Sequence, residues 1–343
     1  MKALVIHAAK DLRLEDRAPK EPGYDEVQIK LATGGICGSD LHYFNHGGFG
    51  AIKLKEPMIL GHEVAGHITK LGAGVDGFTI GQLVGVSPSR PCHNCKFCRE
   101  GMFNQCLNMR FYGSAMPFPH IQGAFREILV AGAKQCVAAD GLSAGEAALT
   151  EPLAVTLHAT RRAGEMLGKS VLVTGCGPIG LLAILAARRA GADVIVATDV
   201  TDFTLNMARK MGADVAVNTS TTPDALEKYK ADKGSFDILY ECSGVQAALV
   251  SAIGAVRPGG TLLQLGLGGD MTLPMMAITA KELSLKGSFR FHSEYATAIS
   301  LMQKGLIDVK PLITHTVSLK EAQQGFALAN DRSQAVKVQI AFS

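Results

Sequence analysis

Apolar residues fall into two patterns along this chain. In its second half they gather into short runs: Val171 to Thr174, Val194 to Ala197, Asp214 to Asn218, Phe236 to Cys242, Gly260 to Gly266 and Leu283 to Phe289. Runs of that length bounded by Gly, Asp and Ser read as strands, and the intervals between them keep helical spacing. Strand and helix in alternation predict a parallel, doubly wound sheet, placed at residues 154–286. The first half and the returning C-terminal segment are different, with many short segments punctuated by Gly and Pro. They predict a second, mostly-β domain made of residues 1–153 and 287–343, so the expected fold class is α/β.

The chain just beyond Val171 to Thr174 gives that run a chemical meaning. It continues into Gly175-x-Gly177-Pro178-Ile179-Gly180, then a helical pattern to Ala190, then a second run ending near Asp199. That order is the βαβ unit of a Rossmann domain, in which glycines admit a pyrophosphate to a helix N-terminus and an acid about twenty residues on holds ribose hydroxyls. Gly175, Gly177, Pro178, Ile179 and Gly180 are therefore cofactor-binding candidates, together with Asp199. No Lys or Arg lies between Val200 and Leu205, so a 2′-phosphate would meet only the negative charge of Asp199. NAD is favoured over NADP on that ground.

A second local feature is PCHNCKFCREGMFNQC, from Pro91 to Cys106, which holds four of the chain's 8 cysteines. In a reducing compartment, thiolates packed this closely bind metal sooner than they form disulfides. Cys92, Cys95, Cys98 and Cys106 predict a structural zinc that organises a loop without an apolar core of its own. An iron–sulfur cluster competes, but the long last interval and the lack of a following proline fit its usual spacings poorly. Upstream, GGICGSDLHYF and LGHEVAGHITKLGAGV carry Cys37, His62 and Glu63, potential zinc ligands of the types that an open catalytic zinc site uses.

Composition narrows the partners. Charge is nearly balanced, with 34 basic and 31 acidic residues and a net +3, and no basic run is long enough to track phosphates. Nucleic acid is not an expected partner. Neither is a membrane, since no apolar run spans a bilayer and Met1 to Val5 enters a strand without a leader pattern. A cytoplasmic enzyme is the expectation.

Gly61-His62-Glu63-x-x-Gly66-x5-Gly72-x2-Val75, the Cys37-Gly38-Ser39-Asp40-x-His42 segment and the four-cysteine lobe, in that family's order and spacing, resemble the zinc-containing medium-chain alcohol and polyol dehydrogenases. The resemblance implies a GroES-like catalytic domain beside the Rossmann domain, two zinc ions per subunit and a homodimer or homotetramer. It also assigns Ser39 and His42 to a proton relay. Thr150-Glu151-Pro152-Leu153 falls where the polyol branch carries a glutamate facing the metal, as a direct ligand or through water. Glu151 is therefore a catalytic and metal-site candidate; the lesser alternative is a carboxylate that stabilises a plain helix N-terminus, since Pro152 fits the first helical position.

MRFYGSAMPFPH, LTEPLAVTLHA and KGSFRF resemble further those members of the branch that oxidise the sugar acid L-idonate at C5. Tyr43, Phe111 and Arg290 then correspond to residues lining the substrate site. Arg110, His120 and Arg290 are the candidates for receiving a substrate carboxylate. A neutral polyol such as sorbitol or xylitol is the alternative substrate. A zinc-ribbon binding module without catalysis is a distant alternative, since the lobe is not notably basic and the dinucleotide fingerprint would go unexplained.

Overall fold

The computed structural model describes residues 1–342, which form two units. One comprises residues 1–151, 295–331 and 337–342; the other comprises Pro152–Glu294 and Arg332–Val336.

The second unit holds a six-stranded sheet that is parallel throughout. Its spatial order is Val215–Asn218, Val194–Asp199, Ser170–Thr174, Phe236–Glu241, Val256–Gln264 and Ser284–Gly287. With the strands numbered in chain order this is the 3-2-1-4-5-6 arrangement of a doubly wound dinucleotide-binding fold. Val171, Leu172 and Val173 have no exposed surface, as expected of a central strand covered on both faces. Leu172, Val196, Leu239 and Leu262 pack with Leu249, Ile253 and Ile278 from the flanking helices. Burial of each such side chain contributes ~1.5–3 kcal/mol.

The turn after the first strand is built around glycine. Gly175 has φ +84, and a Cβ at Gly180 would lie 1.8 Å from the Gly175 carbonyl oxygen. The helix Pro178–Ala190 starts there with proline in its first turn and ends on Gly191 in the left-handed conformation.

The first unit carries, together with a three-stranded and two two-stranded sheets, a seven-stranded mixed one. The order is Cys136–Ala138, Leu83–Val86, Glu63–Leu71, Glu26–Gly35, Lys337–Ala341 and Ile313–Ser318, with Ile128–Gly132 also paired to Glu26–Gly35. Glu26–Gly35 is the strand that matters for chemistry. It runs antiparallel to Glu63–Leu71 with Gly35 opposite Glu63, and antiparallel to Lys337–Ala341 with Gly35 opposite Gln339. Segments far apart in sequence are thus brought to one place by hydrogen-bond register.

Candidate catalytic metal centre

Cys37 lies two residues beyond the end of that central strand and serves as N-cap of the helix Gly38–His46. Its backbone N–H donates to Asp40 Oδ2 at 3.0 Å, and Gly61 N–H donates to Asp40 Oδ1 at 3.0 Å. Asp40 has no exposed surface, so one buried carboxylate ties the turn of Cys37 to the turn before His62. Gly61 has φ +89 at that point, and a Cβ there would meet the Phe125 ring at 2.1 Å.

Cys37, His62 and Glu63 each place a ligand atom within 4.8 Å of the others. His62 and Glu63 are 5% and 1% exposed. His62 Nδ1 is buried without a hydrogen-bond partner among the described residues and sits 3.8 Å from Asp40 Oδ1, while the ring packs on Phe111 at 5.5 Å. Burial first, then the Glu63 charge, pushes the Cys37 thiol up to about 12. A thiolate and a carboxylate this close and this buried repel unless a cation lies between them. The donor set, one sulfur, one imidazole and one carboxylate, fits a zinc ion with a position left open.

Glu151 is not a member of that mutually close set. It is 5% exposed, and burial raises its carboxyl to about 8, with His62 opposing and Glu63 and Cys37 adding to the rise. Ser39 follows Cys37 by two residues, in the first turn of the helix Gly38–His46. One turn on, the His42 ring lies 5.6 Å from Phe49. Tyr43 is buried and accepts a hydrogen bond on its hydroxyl from Ala115 N–H at 3.0 Å.

His120 is placed differently from what its motif implies. The ring is buried, its Nδ1 lies 2.9 Å from the Pro117 carbonyl oxygen, and its Nε2 accepts from Lys55 N–H at 2.8 Å. Both nitrogens are engaged by backbone in one neutral tautomer, so the side chain staples a loop and leaves no ring N–H for a substrate carboxylate. Arg110 is exposed on a two-residue strand, beside the buried Phe111.

In the second unit, the segment bearing Arg290 is clamped to the helix Thr150–Ala163. Arg162 Nε donates to Gly287 O at 2.7 Å, and Lys286 Nζ donates to Arg162 O at 3.1 Å. Arg290 itself has φ +56, and its guanidinium lies 4.8 Å from the Phe289 ring centre. Beyond it, buried Glu294 accepts from Arg161 at 2.8 Å and from His292 N–H at 2.9 Å, with His158 Nδ1 at 3.4 Å. Burial alone would raise the Glu294 carboxyl; the His158 and backbone hydrogen bonds outweigh it and hold the group down at about 2. Its stabilising contribution is therefore complete above the ordinary value of 4.5 and is lost as pH falls towards 2. Glu294→Gln is expected to lower stability by about 2 kcal/mol near neutral pH, with the gap narrowing steadily below about pH 5. Urea midpoints of both proteins measured down to about pH 3 check this; a gap constant over that range would refute the clamp.

In the same unit Asp199 Oδ2 accepts from Cys176 N–H at 2.6 Å, and Oδ1 accepts from Val200 and Thr201 N–H at 2.7 and 3.1 Å. The carboxylate is thus fixed between the glycine turn and the end of the second strand.

The cysteine lobe carries the other metal-binding set. Cys92, Cys95, Cys98 and Cys106 all lie within 4.8 Å of one another through sulfur, and every cysteine is free. Cys92 and Cys106 sulfurs are 3.5 Å apart, well beyond a disulfide bond and suited to neighbouring corners of a tetrahedron. Hydrogen bonds from Asn94 N–H and the Asn108 side chain pull the Cys92 thiol down to about 6. Burial first, then hydrogen bonds with Cys95 and Cys106, pushes the Cys98 thiol up to about 12, so zinc binding has to displace that proton.

Two residues beside the first metal set were not among the candidates that the sequence suggests. Asp40 stands inside the Cys37 to His42 motif, and its spacing from Cys37 is the signal of a capping carboxylate. Lys337, whose Nζ donates to both Glu63 oxygens, lies 274 residues away and has no local signal.

Comparison with known proteins gives the family of the chain. A family model described as "Zinc-binding dehydrogenase" matches residues 178–304, and one described as "Alcohol dehydrogenase GroES-like domain" matches residues 23–141. The chain is similar to the L-idonate 5-dehydrogenase (NAD(P)(+)) of Escherichia coli strain K12, 42% identical over 92% of this chain and 91% of that protein. It is also 38% identical to the sorbitol dehydrogenase of Gallus gallus over 98% of this chain and 95% of that one. The crystal structure of L-idonate 5-dehydrogenase from Escherichia coli K-12 superposes with a TM-score of 0.95, covering 99% of this chain and 98% of that chain at 39% identity.

Proposed function

Because the chain belongs to the zinc-binding dehydrogenases, enzymes of the alcohol and polyol type, we propose that it oxidises a sugar acid, L-idonate at C5, to 5-keto-D-gluconate, reversibly and with NAD favoured over NADP. The observation that carries the substrate is the 42% identity to an L-idonate 5-dehydrogenase over nearly the whole chain. Zinc bound by Cys37, His62 and Glu63 would supply Lewis acidity that acidifies the substrate hydroxyl, and NAD would accept hydride from its carbon.

The protein's own groups do the rest. Ser39, two residues beyond Cys37, and His42, one turn further, carry the hydroxyl proton outward. Glu151 lies outside the close ligand set, which supports a role through a water or the substrate hydroxyl instead of direct ligation. Tyr43 and Phe111 supply apolar walls, and Arg290 receives the substrate carboxylate, with Arg110 the second candidate. The Asp199 charge at the strand end discourages a 2′-phosphate. The edge strand Ser284–Gly287 leaves Leu285 46% exposed and supports assembly into a homodimer or homotetramer.

Initial rates of NAD reduction by the zinc-loaded protein, with L-idonate, D-gluconate, sorbitol and xylitol side by side, test the reading. Turnover confined to L-idonate is expected, with its KM raised about tenfold or more in Arg290→Leu, the loss of one charge-assisted contact. Faster turnover of sorbitol or xylitol would overturn it in favour of the neutral-polyol reading, which the similarity to sorbitol dehydrogenase supports.

A further inference from the structure

Lys337 is a lysine where lysine is costly. It is 2% exposed and among the largest fully buried side chains of the chain. Its three N–H donors are all used: Glu63 Oε1 at 2.9 Å, Glu63 Oε2 at 2.7 Å and Ile36 O at 3.1 Å. The place is prepared by backbone. Gly35 stands opposite Glu63 on one side and Gln339 on the other, and a Cβ on Gly35 would lie 2.3 Å from Glu63 Oε2 and 3.3 Å from Lys337 Cδ. Glycine is what lets the carboxylate and the ammonium meet in the middle of the sheet.

A buried ion pair adds little net stability compared with an apolar pair of the same shape, so its stability does not explain this one. Its location does: the carboxylate that Lys337 grips is the one that completes the metal set with Cys37 and His62. We propose that Lys337 is a positioning residue that keeps Glu63 a weak, exchangeable ligand. The inference rests on the zinc-dehydrogenase reading of that set. An ammonium on both carboxylate oxygens draws electron density from the donor and holds it towards the strand Lys337–Ala341. It also places a positive charge close to a dication, which opposes tight metal binding. Glu63 can then yield its place during turnover at small cost.

The direction of the effect separates this from a packing role. Partners around a metal ligand ordinarily strengthen the site, and their loss weakens metal binding about 10–100-fold. Here removal of the partner is expected to tighten it. Lys337→Met keeps length and burial without charge. Its catalytic-site zinc is expected to leave to a chelator at least about tenfold more slowly than in the unaltered protein, with zinc in the cysteine lobe as internal reference. Cobalt(II) in the same site is expected to show changed visible bands, because Glu63 becomes a permanent ligand. Lys337→Arg restores the original release rate.

In a Glu63→Gln background, Lys337→Met is expected to have no effect on metal release, since the proposed action runs only through Glu63. Unchanged or faster zinc loss in Lys337→Met would overturn the proposal, as would an equal effect of the substitution with and without Glu63. Metal release and cobalt spectra need no substrate, so failure to oxidise L-idonate would refute the substrate reading and leave this test standing.

Discussion

Cys37→Ser is expected to yield a folded protein that holds one zinc, against the two expected of the unaltered chain, and that oxidises its substrate at least ~10³-fold more slowly. The sulfur is one of three donors in that set, beside the buried His62 and Glu63, and a serine hydroxyl at that position stays protonated and binds zinc poorly. The fold should survive. Cys37 is an N-cap without a side-chain cap bond, and the turn is held by Asp40 through backbone N–H groups of Cys37 and Gly61. Metal content by atomic absorption, near-ultraviolet circular dichroism and turnover, measured on one preparation, decide the matter. Retention of both zinc ions with full activity would remove Cys37 from the site.

Cys98→Ser should have the opposite profile: the catalytic zinc stays and the lobe comes apart. From Cys92 to Cys106 the only buried residues are Cys98 and Cys106 themselves, so nothing apolar replaces the metal once a corner is lost. Zinc that organises such a segment contributes its binding energy directly to folding. A loss of about 3 kcal/mol or more is expected, lowering the thermal midpoint by roughly 10 °C and opening residues 92–106 to protease. The same opening should follow from prolonged dialysis against a strong chelator and be reversed by zinc. A lobe that stays resistant to protease without its metal would show that its short helices and turns hold it unaided.

Features confined to one stretch of chain are legible in the order of residues alone. The glycine turn, its preceding strand and its following helix are contiguous, and the strand expected from Val171 to Thr174 is observed as Ser170–Thr174. The four thiols of the lobe are likewise neighbours, and their spacing already implies one tetrahedral ion. Local signals mislead where the sheet overrides them. The strand expected from Gly260 begins at Val256, and a register shift between Phe236 and Ile238 of the adjoining strand accommodates the added residues. His120 reads as a candidate for substrate from the motif that contains it. Whether its nitrogens are taken depends on Lys55 and Pro117, which only the folded chain brings to it.

The metal set divides along the same line. That His62 and Glu63 are adjacent, and that cysteine, imidazole and carboxylate suit zinc, belongs to residue chemistry and can be read from order alone. That Cys37 meets them, and that Lys337 closes on Glu63 from 274 residues away, was decided by strand register around Gly35. Side-chain chemistry and short spacings are properties of the local chain. Register between distant strands is set by the packing of a whole sheet, and a shift of one residue would turn Glu63 and Lys337 to the opposite face.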